Sequence, residues 1–177
     1  LKAAVHAVAL EAGGSDLIML KADLLLAEGS ATAAEESLIK ALEKDTMNGE
    51  LRAKIATRYL LDGRPEDAQR LLDETPLGID HALLHVVEGR LHLVNADRMR
   101  DGTGETDATL LSVAISAFEG ALKLNRELGV AWLGMARTNR LMSNLDAAEE
   151  ALTRARRLLP EDDPSAAAEA ALLALDQ

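Results

Sequence analysis

Alanines 34, 68, 114 and 148 each stand at the head of the same local phrase, and the intervals between them are 34, 46 and 34 residues. The phrases are TAAEESLIKALEKD (32–45), PEDAQRLLDETP (65–76), SVAISAFEGALKLNR (112–126) and DAAEEALTRARRLLP (146–160). Each sets a small residue, a large one four positions later and, in three of the four, a second small one: Ala34, Leu38 and Ala41; Ala68 and Leu72; Ala114, Phe118 and Ala121; Ala148, Leu152 and Ala155, with Pro160 closing the last. A unit that recurs at a fixed period, with one insertion of about 12 residues, cannot bury its apolar face alone and stacks on copies of itself.

The material of the unit is helical. Hydrophobic residues make up 48% of the chain but aromatics only 2%, so the interior is built from Ala, Leu, Val, Ile and Met, and Ala and Leu lead the helix scale. Each anchoring alanine is preceded by a second helical pattern, as in AWLGMARTNRLMSN before Ala148 and LRAKIATRYLLDG before Ala68. The spacing predicts helix pairs over 16–28 and 31–44, 48–61 and 65–74, 78–97 and 108–124, and 128–141 and 145–158. Small residues meet in the pairs: Ala22, Ala56 and Ala136 are expected to face Ala34, Ala68 and Ala148, allowing the axes to approach closely. Gly29 and Gly63 fall at the bends, where a left-handed residue ends a helix cheaply.

Trp132, Met135, Ala136 and Asn139 fall in the slots of W-x2-L-G-x2-Y, and Ile55, Ala56 and Tyr59 occupy the last three of those slots two array units earlier, in the second repeat. The chain thereby resembles the tetratricopeptide repeat family. Ile18 and Lys21 in the first repeat and Arg52 in the second depart from the pattern, and Gly89 or Arg90 takes the small slot of the third. The resemblance implies an all-α, right-handed superhelical solenoid of antiparallel helix pairs: one array over 1–177, with repeats at about 15–48, 49–81, 82–127 (carrying an inserted loop, 97–108) and 129–162. Partial helices are expected at 1–12, with Ala4 and Ala7 in the slots of Leu38 and Ala41, and at 164–176, as in a piece of a longer array. In its repeat slot Trp132 is expected to pack between helices.

Charge and motif content narrow the function. Thirty acidic against 19 basic side chains give a net charge of −11, which repels phosphate backbones, so no nucleic-acid partner is expected. No apolar run is long enough for a membrane span, and the start has no basic cluster before an apolar stretch, as a signal peptide would. The chain has no Cys, which excludes disulfides and thiolate chemistry without placing it in the cytoplasm or the periplasm. No nucleophile elbow, phosphate loop or zincin motif occurs, so neither enzymatic activity nor a cofactor is expected. The acidic pairs Glu35–Glu36, Glu149–Glu150 and Asp162–Asp163 read as solvated charge or caps. Two weak metal candidates remain. Asp101, Glu105 and Asp107 surround Gly102 and Gly104 without calcium-loop spacing. His81, His85, Glu88 and His92 share a helical stripe too long to meet one ion, which leaves the pair His81–His85.

The resemblance implies a scaffold that binds another protein, as a peptide or partner helix, in a groove lined by the first helix of each pair. By the repeat register the groove carries Met19, Asp23 and Leu26, then Ala53, Thr57 and Leu60, then Val86, Arg90 and Leu93, and finally Leu133, Arg137 and Arg140. The three arginines gather at one end, where they are expected either to receive a partner's acidic residues or to pair with acids of the chain itself. Met19 and Asp23 stand where chaperone-binding members of the family need Lys and Asn, which argues against a chaperone-tail receptor. An alternative, from the Ala-rich phrasing of residues 119–152, is a periplasmic or lipoprotein component of bacterial exopolysaccharide export.

Overall fold

The computed structural model describes residues 15–176 with the exception of 105. The expected flanking helix 1–12, with Ala4 and Ala7, lies outside the described residues, as does Glu105. Among the described residues there are only helices: α1 (Ser15–Ala27), α2 (Ala31–Lys44), α3 (Gly49–Leu61), α4 (Pro65–Asp73), α5 (Ala82–Thr103), α6 (Ala108–Leu124), α7 (Gly129–Leu141), α8 (Leu145–Leu158) and α9 (Pro164–Asp176). Consecutive helices pack as hairpins, and α3, α5, α7 and α9 also pack each on the next, so that one layer of the stack is made of first helices. No described helix is long and apolar enough to cross a membrane.

The ends of the helices follow from their residues. Asn48 accepts a hydrogen bond from the Leu51 amide at 2.9 Å to start α3, and Asp163 Oδ1 accepts from the amides of Ser165 and Ala166 at 3.0 and 2.9 Å to start α9. Such caps satisfy amides that have no partner inside the helix. The bends of the first two pairs are made by Gly29 and Gly63 at φ 76° and 70°; the fourth has Ser143 there, at φ 60°, a conformation that costs a non-glycine residue more.

The alanine seams sit where the spacing put them. Ala22, Ala56 and Ala136 are fully buried, against Ala34, Ala68 and Ala148 at 0–1% exposure. In the third pair the small slot belongs to Gly89, which is buried, while Arg90 stands beside it half-buried. Phe118 explains that glycine. Its ring is 0% exposed, and a Cβ added to Gly89 would lie 2.7 Å from its Cε1, one added to Gly134 only 2.4 Å. A single large ring thus fills the space between α5, α6 and α7 because both neighbouring helices present bare backbone to it.

The slots that depart from the family pattern are filled in other ways. Arg52, in the place of Trp, is 5% exposed; its guanidinium donates to the Leu71 carbonyl at 3.0 Å and the Thr46 carbonyl at 3.4 Å. Burial lowers its pKa, opposed by Glu74. Trp132 packs between two core clusters, as its slot requires; its indole N–H donates to the Arg126 carbonyl at 2.9 Å, and Arg154 lies 4.6 Å over the ring.

The insertion differs from the expected loop 97–108. Helix α5 starts at Ala82, not near 78, and runs on to Thr103, six residues beyond the expected end at 97. Residues 96–101, ADRMRD, contain no helix breaker, and the extension is held by Arg100 on Asp97 at 3.2 Å and by Arg98, which reaches Glu66 on α4. Gly104, at φ 79°, ends the helix, and Asp107 starts α6 by accepting from the Thr109 and Leu110 amides at 2.8 and 3.3 Å. The additional residues therefore lengthen a helical hairpin instead of forming a long loop.

Candidate functional site

Four successive first helices enclose one groove of about 760 Å³. Helix α3 contributes Thr57, Leu60 and Leu61; α5 contributes Arg90, Leu93, Val94, Asp97 and Arg100; α7 contributes Val130, Leu133, Gly134, Arg137, Arg140 and Leu141; α9 contributes Ser165, Ala168, Glu169 and Leu172. The spacing 90, 93, 97, 100 repeats at three and four residues, which keeps these side chains on one face of α5. Leucines form the floor and the exposed rim: Leu93 is 3% exposed, Leu61 74% and Leu172 44%.

Of the residues the sequence assigns to the groove, Thr57, Leu60, Arg90, Leu93, Leu133, Arg137 and Arg140 line it. Ala53 and Val86 do not reach it as free surface, being buried at 2% and 3% exposure in the packing between helices. The first-repeat set lies apart from it. Asp23 is exposed and holds Lys54 at 2.8 Å, the Met19 carbonyl accepts from the same ammonium at 3.5 Å, and Leu26 packs half-buried on the first core cluster.

The arginines have counterions from within the chain. Arg137 donates to Asp97 at 2.6 Å, and Asp97 also meets Arg100. Arg140 donates to Glu169 at 2.6 Å and to Asp176 at 3.0 Å. The Arg140 and Glu169 side chains are only 12% and 7% exposed: burial lowers the Arg140 pKa, but the hydrogen bonds to Glu169 and Asp176 outweigh it and leave it raised. This pair ties α7 to α9 and belongs to the architecture. Arg90 differs from both. Among the described residues its guanidinium has no hydrogen-bond or ion-pair partner, and its pKa is lowered by burial and by the like charge of Arg137, with only Asp163 opposing. Four arginines and two carboxylates thus line the groove of a protein whose net charge is −11.

The metal candidates have other occupations. The His81 ring caps α5 by accepting from the Leu83 amide at 3.3 Å. His85 lies 2.9 Å from Asp80 and 3.6 Å from Glu88. Asp107 caps α6. Among the described residues no group of three or more His, Asp and Glu side chains could hold a metal ion. Sequence reasoning missed Asp97, Arg100, Glu169 and the rim leucines 61 and 172. The first two carried a signal, since they continue the three- and four-residue spacing of Arg90 and Leu93.

Helical hairpins stacked so that their first helices pack each on the next and line one groove define a helical-repeat solenoid. Residues 25–83 of the chain match the family model described as tetratricopeptide repeat. Among solved structures it is similar to the human IFIT1 dimer with PPP-AAAA, at 24% identity over 84% of this chain and 34% of that one, with a TM-score of 0.66. It is also similar to the APC/C hetero-tetramer Cut9–Hcn1, at 17% identity over 96% of this chain and 32% of that one, with a TM-score of 0.75. MamA matches at 20% identity over 91% of this chain and 85% of that one, with a TM-score of 0.56. The chain thus spans about a third of the length of the IFIT1 and Cut9–Hcn1 chains. At these identities the likeness is one of fold. No curated protein matches the chain by sequence.

Proposed function

We propose that the chain is a protein-interaction scaffold that takes a peptide or partner helix along the groove of α3, α5, α7 and α9. The ligand fitting this groove has Leu-like side chains for the floor and rim and at least one acidic residue for the arginines. The observation that carries the reading is the juxtaposition of exposed Leu61 and Leu172 with an excess of guanidinium groups in an otherwise acidic protein. The IFIT1 dimer structure holds PPP-AAAA, but in this chain a polyphosphate would meet Asp97 and Glu169 within the groove and a net charge of −11 around it. A peptide carboxylate brings one charge where a triphosphate brings several.

The test is a peptide array probed with the wild type and with Leu61→Glu/Leu172→Glu, two exposed positions whose replacement leaves the core intact. Specific peptides should be retained by the wild type and lost by the variant. Peptides held equally by both proteins would show that recognition occurs elsewhere on the surface.

A further inference from the structure

We propose that Arg90 and Arg137 together form the seat for one carboxylate of the bound segment, and that Asp97 is an internal carboxylate occupying Arg137 until the ligand arrives. The proposal deepens the groove reading and rests on it. Three observations meet here. Arg90 is half-buried in the wall of the groove, yet its guanidinium has no hydrogen-bond or ion-pair partner among the described residues. Its nitrogens are not among the buried polar atoms that lack a partner, so the guanidinium opens on the groove. The charges that act on it are Arg137, which lines the same groove and repels it, and Asp163, with which it forms no ion pair. Holding two cations together in a partly desolvated wall is unfavourable, and an anion placed between them relieves that cost.

Asp97 supplies the other half. Its two oxygens are divided between Arg137, at 2.6 Å, and Arg100, at 3.2 Å. One carboxylate therefore neutralises two guanidinium groups and leaves Arg90 without a counterion. Arg137 is free to change partners, because its side chain is 47% exposed and an exposed ion pair is worth little. Asp97 lies seven residues beyond Arg90 on the same face of α5, about 10 Å along the helix by its rise, so a ligand carboxylate at Arg90 does not collide with it. Asp97 and Arg100 also lie in the inserted part of α5, so the insertion tunes how strongly the groove attracts acids.

Fluorescence anisotropy tests this with two labelled 12-residue helical probes of alternating Leu and Glu pairs, one as such and one with every Glu replaced by Gln. The wild type should bind the Glu probe about tenfold or more tightly than the Gln probe, the scale of one charge-assisted bidentate contact. Arg90→Gln should abolish that preference, bringing the affinity for the Glu probe down to that for the Gln probe. Asp97→Asn should tighten the Glu probe several-fold and not the Gln probe, by freeing Arg137 and Arg100. Urea melts of Arg90→Gln should match or exceed the wild type, since an uncompensated charge is removed; a large loss of stability would show that Arg90 has a structural partner and overturn the seat. Equal binding of both probes, unaffected by Arg90→Gln, would overturn the seat and leave the groove reading standing. Failure of both probes to bind, or binding of an oligoadenylate in their place, would overturn the peptide occupant and the seat together.

Discussion

Gly134→Ala should destabilise the protein, against the ordinary rule for a helix interior. Alanine is the better helix former by about 0.8–1.0 kcal/mol, so at an unconstrained position the change is favourable. At Gly134 the new methyl would lie 2.4 Å from Cε1 and Cζ of Phe118 and 2.8 Å from Cδ1, whereas carbon atoms rest at about 3.5–4.0 Å. The ring would have to retreat by more than about 1 Å, and it cannot. It is 0% exposed, and Gly89 brackets it with its own Cβ position at 2.7 Å. Overpacking of this kind costs about 1–3 kcal/mol; with both sides closed the upper end applies, and the propensity gain offsets only part of it. The expected net loss is about 2 kcal/mol, read from urea melts followed by circular dichroism at 222 nm. Gly102→Ala is the control, because it lies in α5 with nothing within 4 Å of its Cβ position; it should be neutral or gain up to about 1 kcal/mol. Phe118→Leu in the Gly134→Ala background should recover part of the loss. If Gly134→Ala is as stable as the wild type, the ring does not occupy the space between α5 and α7.

Other changes follow from the same contacts. Phe118→Ala, which empties that space, should cost about 3–5 kcal/mol in the same melts. Deleting residues 98–106 should lower the helical signal, because it removes the end of α5 together with the Arg98–Glu66 ion pair and Arg100; an unchanged spectrum would mean that the extension is not helical in solution. Acid should weaken the fold through Glu66 and Asp67. Hydrogen bonds from Arg98 to Glu66 and from Arg64 to Asp67 hold both carboxyls below their usual range. Their stabilisation is present above the unfolded values near pH 4 and disappears as pH falls through the lower folded ones. The urea midpoint should drop between about pH 5 and pH 3, and Arg64→Gln/Arg98→Gln should flatten that drop; a parallel drop in the variant would place the acid sensitivity elsewhere.

The repeat was legible because its defining feature is subtraction: a methyl or nothing at Ala22, Ala56, Ala136 and their partners, which only close helix packing explains. The third repeat was harder. Gly89 and Arg90 are both unusual for a small slot, and the choice between them depends on Phe118, a residue of the next helix whose ring needs bare backbone on two sides. The insertion misled for a related reason. Gly102, Gly104 and the acids around them look like a loop, but the periodic signal from Arg90 continues through Arg100, and the glycines mark where the helix stops. The groove was legible only in part. Ala53 and Val86 have the right register but are covered by neighbouring helices, and the first-repeat residues lie beyond the groove's end. The acids paired with Arg137 and Arg140 could not be read locally, since Asp97 comes from 40 residues away and Glu169 from 29.

Hydrogen–deuterium exchange on the protein bound to a peptide selected from the array tests the central claim most directly. Ligand in the groove should slow exchange in α3, α5, α7 and α9, most around residues 57–61, 90–100 and 133–141, and leave the second helices α4, α6 and α8 unchanged. Protection confined to α4, α6 and α8, with the groove helices exchanging as in the free protein, would contradict it.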